Sequence, residues 1–505
     1  MRLNKNIGGV KISKTVLIAK PLMIVVLGLS SIIGFQSFAD QSISADQETT
    51  RVLRFEQAIK RAQTNDPWLT GNRHQQQAVE SLSFAANTLP DPKVSVGIAN
   101  LAADSFEFEQ EPMSQFKVGI TQMFPRGDSL TIKQRQLKQQ SEQYPFQRED
   151  RKAKVATTVG TLWLDAYYIE QSLFLTRQNS SLFEQLIDLA QANYASTRGK
   201  AKQQDVITAQ LELTRLEDRL VQLNQQKNRF TGQLSQWLSN YASENDGTQS
   251  STLNLHSMVI DDDLPNISLH QQSLVYSEKW LNQELLVTYF IKHPAVVALD
   301  KKLKAATTGV NLAQQKYQPE WGVIASYAYR DDDPMGNERA DLLSLGVTFD
   351  LPLFTENRQD NEVKAAISSS EVVKTERILL LRKMMASFAS SKGRLQQLEQ
   401  RKLLYNSKLM PQINEQIEAT LAAYTHDDGV FSDVVRARIS LLNAQIDLLK
   451  INVEKQKLAL ELNYLFTRPM TKSIDSFGNQ QVILINSSNV KSNYIKSNNA
   501  ESNHE

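Results

Sequence analysis

The side chains able to do chemistry are few in kind and mostly scattered. Six histidines (His74, His256, His270, His293, His426 and His504) show no metal-ligand spacing. Neither a G-x-S-x-G elbow nor a glycine-rich phosphate loop occurs. The run Asp331-Asp332-Asp333 lacks the remaining positions of a calcium loop and reads as solvated loop charge. With no cysteine, disulfides, thiolate metal sites, cysteine nucleophiles and an N-terminal lipid on cysteine are excluded. Met113, Met123, Met384 and Met385 could offer thioethers to copper, although such methionines more often lie in cores or against lipid. An enzyme, a cofactor and a resident metal are therefore not expected.

One arrangement of charge is ordered. Arg198, Lys200 and Lys202 precede Asp205 at a turn containing Gly199, whereas Asp427, Asp428 and Asp433 cluster at a turn containing Gly429. Asp205 and Asp433 suit the N-caps of helices that follow, and opposite charges on the two turns could pair if the turns meet.

The elements holding these turns are duplicated. Pro67, Pro92, Gly119 and Pro125 recur about 227 residues later as Pro294, Pro319, Gly346 and Pro352. After the first turn, Val206, Ala209, Leu213, Leu216, Leu220, Leu223, Phe230, Leu234 and Trp237 follow steps of three and four, with Lys227 at the missing position. A shift of 228 gives Val434, Ala437, Leu441, Ala444, Leu448, Ile451, Leu458, Leu462 and Leu465, with Lys455 in the gap. Such sustained spacing predicts a coiled-coil seam in each half.

Each half then reads as a helix (54–89; 284–316), two short alternating segments, a helical stretch of about 70 residues (128–196; 355–424), the turn, and the seam helix. Pro145 and Pro411 should kink the long stretches. The alternating segments are Lys93–Leu101, Ser114–Met123, Glu320–Tyr329 and Leu342–Asp350. Val94, Val96 and Ile98 share a face, as do Phe116, Val118 and Ile120, then Trp321, Val323, Tyr327 and Tyr329, then Leu343, Leu345, Val347 and Phe349. Strands of about 9–11 residues, apolar outside and small or polar inside, fit a transmembrane barrel, although soluble hairpins packed on helices share the pattern.

The 56 Lys+Arg and 55 Asp+Glu are unevenly placed, because residues 1–39 hold five bases and no acid, leaving 51 bases against 55 acids. A slightly acidic chain is a poor nucleic-acid binder. The apolar segment Pro21–Phe35 followed by Ser37-Phe38-Ala39 reads as a signal peptide cleaved before Asp40. The expected division is 1–39 signal peptide, 40–241 first repeat, 242–283 polar linker, 284–467 second repeat and 468–505 Asn/Ser-rich tail.

The duplicated order, with Val118-Gly119-Ile120-Thr121-Gln122-Met123-Phe124-Pro125 matching Leu345-Gly346-Val347-Thr348-Phe349-Asp350-Leu351-Pro352 and tips at Tyr194/Gly199 and Tyr424/Gly429, resembles the TolC-like outer membrane efflux proteins. The resemblance implies a mainly α fold with a small β part. A homotrimer would build a long coiled-coil helical barrel and share one 12-stranded transmembrane β-barrel in the outer membrane of a Gram-negative bacterium. It implies an exit duct working with a periplasmic adaptor and an inner-membrane pump of the RND type. Leu89-Pro90-Asp91-Pro92 and Phe124-Pro125-Arg126-Gly127-Asp128 look most like the branch that exports heavy-metal cations, with ducts for drugs or secreted proteins as alternatives. A periplasmic coiled-coil adaptor or structural protein is the rival class, but it has no need of strand pairs at matched places.

By the same resemblance, Pro125 and Pro352 mark strand-to-helix transitions, and Asp433 falls where a family aspartate lines the narrowest point of the tube. Asp427, Asp428, Arg198 and Lys200 join it as periplasmic gate candidates, while Arg436 stands where the family has a second aspartate.

Overall fold

The computed structural model describes residues 51–195, 203–239, 258–277, 282–426 and 429–469. The expected signal peptide, nearly all of the tail, and Arg198, Gly199, Lys200, Asp427 and Asp428 lie outside these residues.

The first half runs β1 (Arg51–Leu53), α1 (Phe55–Thr64), α2 (Pro67–Ala85), β2 (Lys93–Ala99), β3 (Gln115–Phe124), α3 (Ser129–Ser141), α4 (Gln143–Ala195) and α5 (Gln203–Leu238). After β4 (Met258–Ile260) and α6 (Gln272–Val275) come α7 (Gln283–Phe290), α8 (Pro294–Gln314), β5 (Trp321–Tyr329), β6 (Leu342–Phe349), α9 (Gln359–Leu404), α10 (Met410–Thr425) and α11 (Phe431–Leu465). The four alternating segments are β2, β3, β5 and β6, within two residues at each end.

Proline chemistry explains where the helices break. The unbroken helices expected over 54–89 and 284–316 are each two helices, because Pro67 and Pro294 start new ones at their first position. Asp66 caps α2 by accepting from the Trp68 amide at 3.1 Å, and His293 Nδ1 caps α8 by accepting from the Ala295 amide at 3.2 Å. In the long stretches Pro145 and Pro411 cannot donate to the carbonyls of Ser141 and Ser407. The first falls at the break between α3 and α4, the second inside a π-helical turn over Tyr405–Leu409.

The seams bury as spaced. Ala209, Leu216, Leu223, Phe230 and Leu234 are buried along α5, and Val434, Ala437, Ala444, Ile451, Leu458, Leu462 and Leu465 along α11. Each seam lysine meets an acid on a long helix, Lys227 with Glu170 on α4 at 2.6 Å and Lys455 with Glu399 on α9 at 3.2 Å. A polar pair at one seam position fixes register at some cost in stability.

Three larger cores follow. One joins α1, α4, α5 and α11 around Trp163, whose indole donates to the Leu53 carbonyl at 2.9 Å. A second joins α7, α9 and α11 through Phe290, Phe388, Leu458 and Phe466. The third joins α4, α5, α10 and α11 at the turn end through Phe183, Ala209, Tyr424 and Phe431.

The linker holds structure that the sequence reading did not expect. β4 pairs in parallel with β1, Val52 opposite Val259, and Arg54 lies 3.8 Å from Asp261 just beyond the strands. Lys392 of α9 is buried and donates to the Ser277 carbonyl at 2.7 Å, tying the segment after α6 to the long helix.

Candidate functional site

β2, β3, β5 and β6 form one antiparallel sheet in that order, which leaves β2 and β6 as edges. The register aligns apolar side chains into rows across the strands: Val96, Val118, Tyr327 and Leu343 in one, Val94, Ile120, Ala325 and Leu345 in the next. Almost all are exposed, Leu345 at 77% and Val94 at 67%. The opposite face carries Ser95, Gly119, Ser326 and Ser344 in one row. A Cβ at Gly119 would lie 2.8 Å from Ser95 Oγ, so a larger residue there would push that hydroxyl aside. Ile324 and Leu342 interrupt this small and polar face, which the alternation alone did not indicate.

Aromatic rings bound the apolar face at both ends. Phe124, Trp321 and Phe349 align at the helix end, with the last two rings 5.0 Å apart, and Phe116 and Tyr329 align at the other. An apolar band between aromatic rows is the pattern of a lipid-facing β-surface. Among the described residues no helix is long and apolar enough to cross a membrane.

Pro125 and Pro352 follow the ends of β3 and β6, where the chain turns into the helices. Beyond Pro125, Gly127 adopts a φ of +45°, and Arg126 pairs with Asp350 across the junction. Asp350 also accepts from the Glu320 amide at 2.7 Å, so one carboxylate just after β6 ties together the entries to β5 and α3. These bonds hold the Asp350 carboxyl below its usual range, led by the Glu320 amide.

At the other end of the helices, Gly429 donates to the Ala423 carbonyl at 3.0 Å, a six-residue closure that ends α10. A Cβ on Gly429 would stand 2.7 Å from the Tyr424 nitrogen, so only glycine fits. Tyr424 packs on Phe431 with ring centroids 5.3 Å apart. The two marker tyrosines differ: Tyr424 is 8% exposed and Tyr194 is 55% exposed.

Asp433 is not the cap of α11. Val430 occupies that position, and Asp433 sits in the first turn, half exposed, 3.2 Å from Arg436 one turn on. The helix starts at Phe431, two residues after Gly429, which leaves Asp433 inside its first turn. Asp205 likewise lies within the first turn of α5. The remaining gate candidates, Asp427, Asp428, Arg198 and Lys200, lie outside the described residues.

The methionines are not assembled. Met384 and Met385 belong to the α7/α9/α11 core, Met123 lies over Gly322 on the polar face of the sheet, and Met113 is in a loop. Asp333 serves a turn, accepting from the Met335 and Asn337 amides at 2.9 Å each. Among the described residues no three metal-type side chains converge. His293 is fully buried with Nε2 3.0 Å from the Tyr464 carbonyl, and desolvation lowers its pKa.

Sequence reasoning missed a second buried stripe on α11, Val435, Leu442, Ile446, Val453 and Leu460, beside the seam. Its signal was present, since these positions step by sevens and fours. It also missed Lys457, which reaches Asp165 of α4 and Glu454. Burial works against that ammonium, but the two carboxylates outweigh it and raise its pKa.

No protein-family profile matches the sequence, and no curated protein matches it. Solved structures do. The CmeC outer membrane channel of Campylobacter jejuni matches with a TM-score of 0.64 at 11% identity, over 90% of this chain and 96% of that one. The outer membrane protein VceC of Vibrio cholerae gives 0.64 at 14%, over 82% and 96%. The open state of the MtrE outer membrane channel of Neisseria gonorrhoeae gives 0.61 at 14%, over 86% and 96%. An antiparallel sheet carried on long paired helices, matched over nearly the whole of each of these proteins, is the fold of the TolC-like outer membrane channels, and this chain has it.

Proposed function

We propose that the chain is the outer membrane exit duct of a tripartite efflux system and a member of the TolC-like family. The observation that carries this reading is the four-stranded sheet with one exposed apolar face, aromatic rows at both ends and two open edges. Four strands cannot close around an interior, and open edges cannot face lipid, so β2 of one copy must pair with β6 of another. Three copies give twelve strands, the number that the resemblance implies. The helices then form a tube in the periplasm that receives substrates from an adaptor and an RND-type inner-membrane pump. The cargo we assign is heavy-metal cations, supported by the two stretches around Asp91 and Arg126 noted above.

The test is fractionation and conductance. The protein should run as a heat-modifiable trimer from outer membranes and form channels in planar bilayers, and a freely soluble periplasmic monomer would refute the reading. Loss of the gene should sensitise cells to metal cations; sensitivity to drugs alone would reassign the cargo.

At the turn end we place the periplasmic gate, with three copies of Asp433 near the axis and Asp427, Asp428, Arg198 and Lys200 around them. Arg436, 3.2 Å from Asp433 on the same helix, tempers that ring, and each exposed pair contributes about 0–1 kcal/mol. Asp433→Ala in assembled trimer should reduce cation preference and block by multivalent cations. Unchanged selectivity and block would leave Asp433 a helix-terminus residue.

A further inference from the structure

A cavity of about 340 Å³ lies at the junction of sheet and helices, walled by Arg126, Lys316, Glu320, Arg358, Gln359 and Glu362. That volume is within the range of about 300–1,000 Å³ of small-molecule sites. Two helices begin on it: Ser129 and Gln359, the first residues of α3 and α9, are both in the wall. Neither helix is capped by the side chain of its N-cap residue, Asp128 or Arg358. The Ser129 amide bonds to the Arg126 carbonyl at 3.0 Å and the Asp360 amide to the Thr355 carbonyl at 3.1 Å, yet the positive ends of both helices still favour an anion, and Arg358, largely exposed and 3.9 Å from Glu362, adds a guanidinium.

A second observation narrows the ligand. Gln359 is only 8% exposed, and no protein donor reaches its Oε1. An acceptor buried beside an anion site calls for a ligand that also donates, and the Glu320 carboxylate in the same wall suits a donor with positive charge, whereas Glu362 is already paired with Lys316 at 2.8 Å. The required group carries a phosphate at one end and a hydrogen-bonding ammonium at the other.

The position says where such a group comes from. Glu320 directly precedes Trp321 and Arg126 follows Phe124 by two residues, so the cavity begins within about 7 Å of the aromatic row along the strands. Lipid headgroups occupy a layer of about 5–8 Å beyond the hydrocarbon. The segment entering α9 also exposes Leu351, Leu353 and Phe354. We infer that this cavity binds the headgroup of a phosphatidylethanolamine-type phospholipid, its phosphate at Arg358 and the N-terminal ends of α3 and α9, its ammonium at Gln359 Oε1. The inference rests on the channel reading, which sets the membrane level.

The experiment uses the purified full-length assembly in detergent with three probes: dihexanoylphosphatidylethanolamine, dihexanoylphosphatidylcholine and inorganic phosphate, followed by phosphorus NMR. The ethanolamine lipid should bind at least fivefold more tightly than the choline lipid, whose quaternary ammonium has no proton to donate. Gln359→Leu should bring the two within twofold, Gln359→Glu should keep the preference, and Arg358→Ala should weaken both lipids at least fivefold. Equal binding of the two lipids to the wild type, or a preference that survives Gln359→Leu, overturns the proposal. Inorganic phosphate binding as tightly as the ethanolamine lipid overturns the lipid source. Planar-bilayer conductance of the same preparations separates the readings: channels without lipid preference sink this inference alone, whereas a wild type forming no channels sinks the channel reading.

Discussion

α11 buries residues on two sides and α5 on one, although the two helices carry the same seam 228 residues apart. α11 lies between the two long helices, sharing one core with α4 and another with α9. α5 packs chiefly on α4. The second stripe of α11 explains the difference, because Leu442, Ile446, Val453 and Leu460 correspond to Thr214, Asp218, Gln225 and Gly232 in α5. One helix is interior to the protomer and the other is its margin. An inherited pattern thus fixes how a helix meets its own partner, while a few substitutions outside that pattern decide what its other side meets.

The most direct way to break this comparison is to charge matched positions. Leu442→Asp should cost about 4 kcal/mol or more and abolish assembly, since Leu442 is fully buried. Thr214→Asp should stay within about 0.5 kcal/mol, and equal losses of thermal stability would erase the distinction.

Exposure within the chain does not make every site tolerant, which sharpens the point. Leu345 of the sheet and Ile207 of α5 are both exposed. Leu345→Arg should cost about 2–4 kcal/mol on the lipid face and deplete outer-membrane trimer, as should Val118→Arg. Ile207→Arg should leave trimer yield largely intact, and comparable yields in all three would count against a lipid-facing sheet.

The seam lysines differ in company. Lys455 and Glu399 are joined by Tyr276, whose hydroxyl donates to Glu399 at 2.8 Å, whereas Lys227 and Glu170 form a more exposed pair. Lys455→Met should destabilise by about 1–2 kcal/mol against about 0–1 kcal/mol for Lys227→Met, measured by chemical denaturation. The opposite ranking would show that the tyrosine adds nothing.

The smallest effect concerns pH. Burial, with the Glu399 bond next, pushes the Tyr276 phenol up to about 12. A raised pKa stabilises the fold below the unfolded value near 10 and loses that contribution as pH rises through the folded value. Stability should therefore fall between about pH 10 and 12, and Tyr276→Phe should flatten that segment while costing less than about 1 kcal/mol at neutral pH. An unchanged alkaline slope would remove Tyr276 from the pair.

Strands and seams were legible because each is a local period with one face in one environment. The apolar rows of β2, β3, β5 and β6 and the buried stripe from Ala209 to Leu234 could be read residue by residue. The breaks at Pro67 and Pro294 were visible as prolines but misread, because an N1 proline continues the apolar pattern across a new helix start. β1 and β4 were missed because three residues give no period; the triplets Arg51–Leu53 and Met258–Ile260 acquire meaning only through pairing some 200 residues apart. The cavity at Gln359 had no sequence signal, since its walls come from three separate helix ends.

The place of α11 in the chain also sets a schedule. It is the final described helix, and it completes cores whose other walls, α4 and α9, were made long before. His293 reaches the Tyr464 carbonyl and Asp150 accepts from the Tyr464 hydroxyl, so the last turns of α11 close contacts spanning 171 and 314 residues. Contacts of such sequence separation form slowly, because the loop between their partners must be closed first. Until α11 arrives, the chain would carry α4 and α9 with their apolar stripes uncovered. Folding of the protomer would then wait for α11, and holdase chaperones would have the whole interval in which to act.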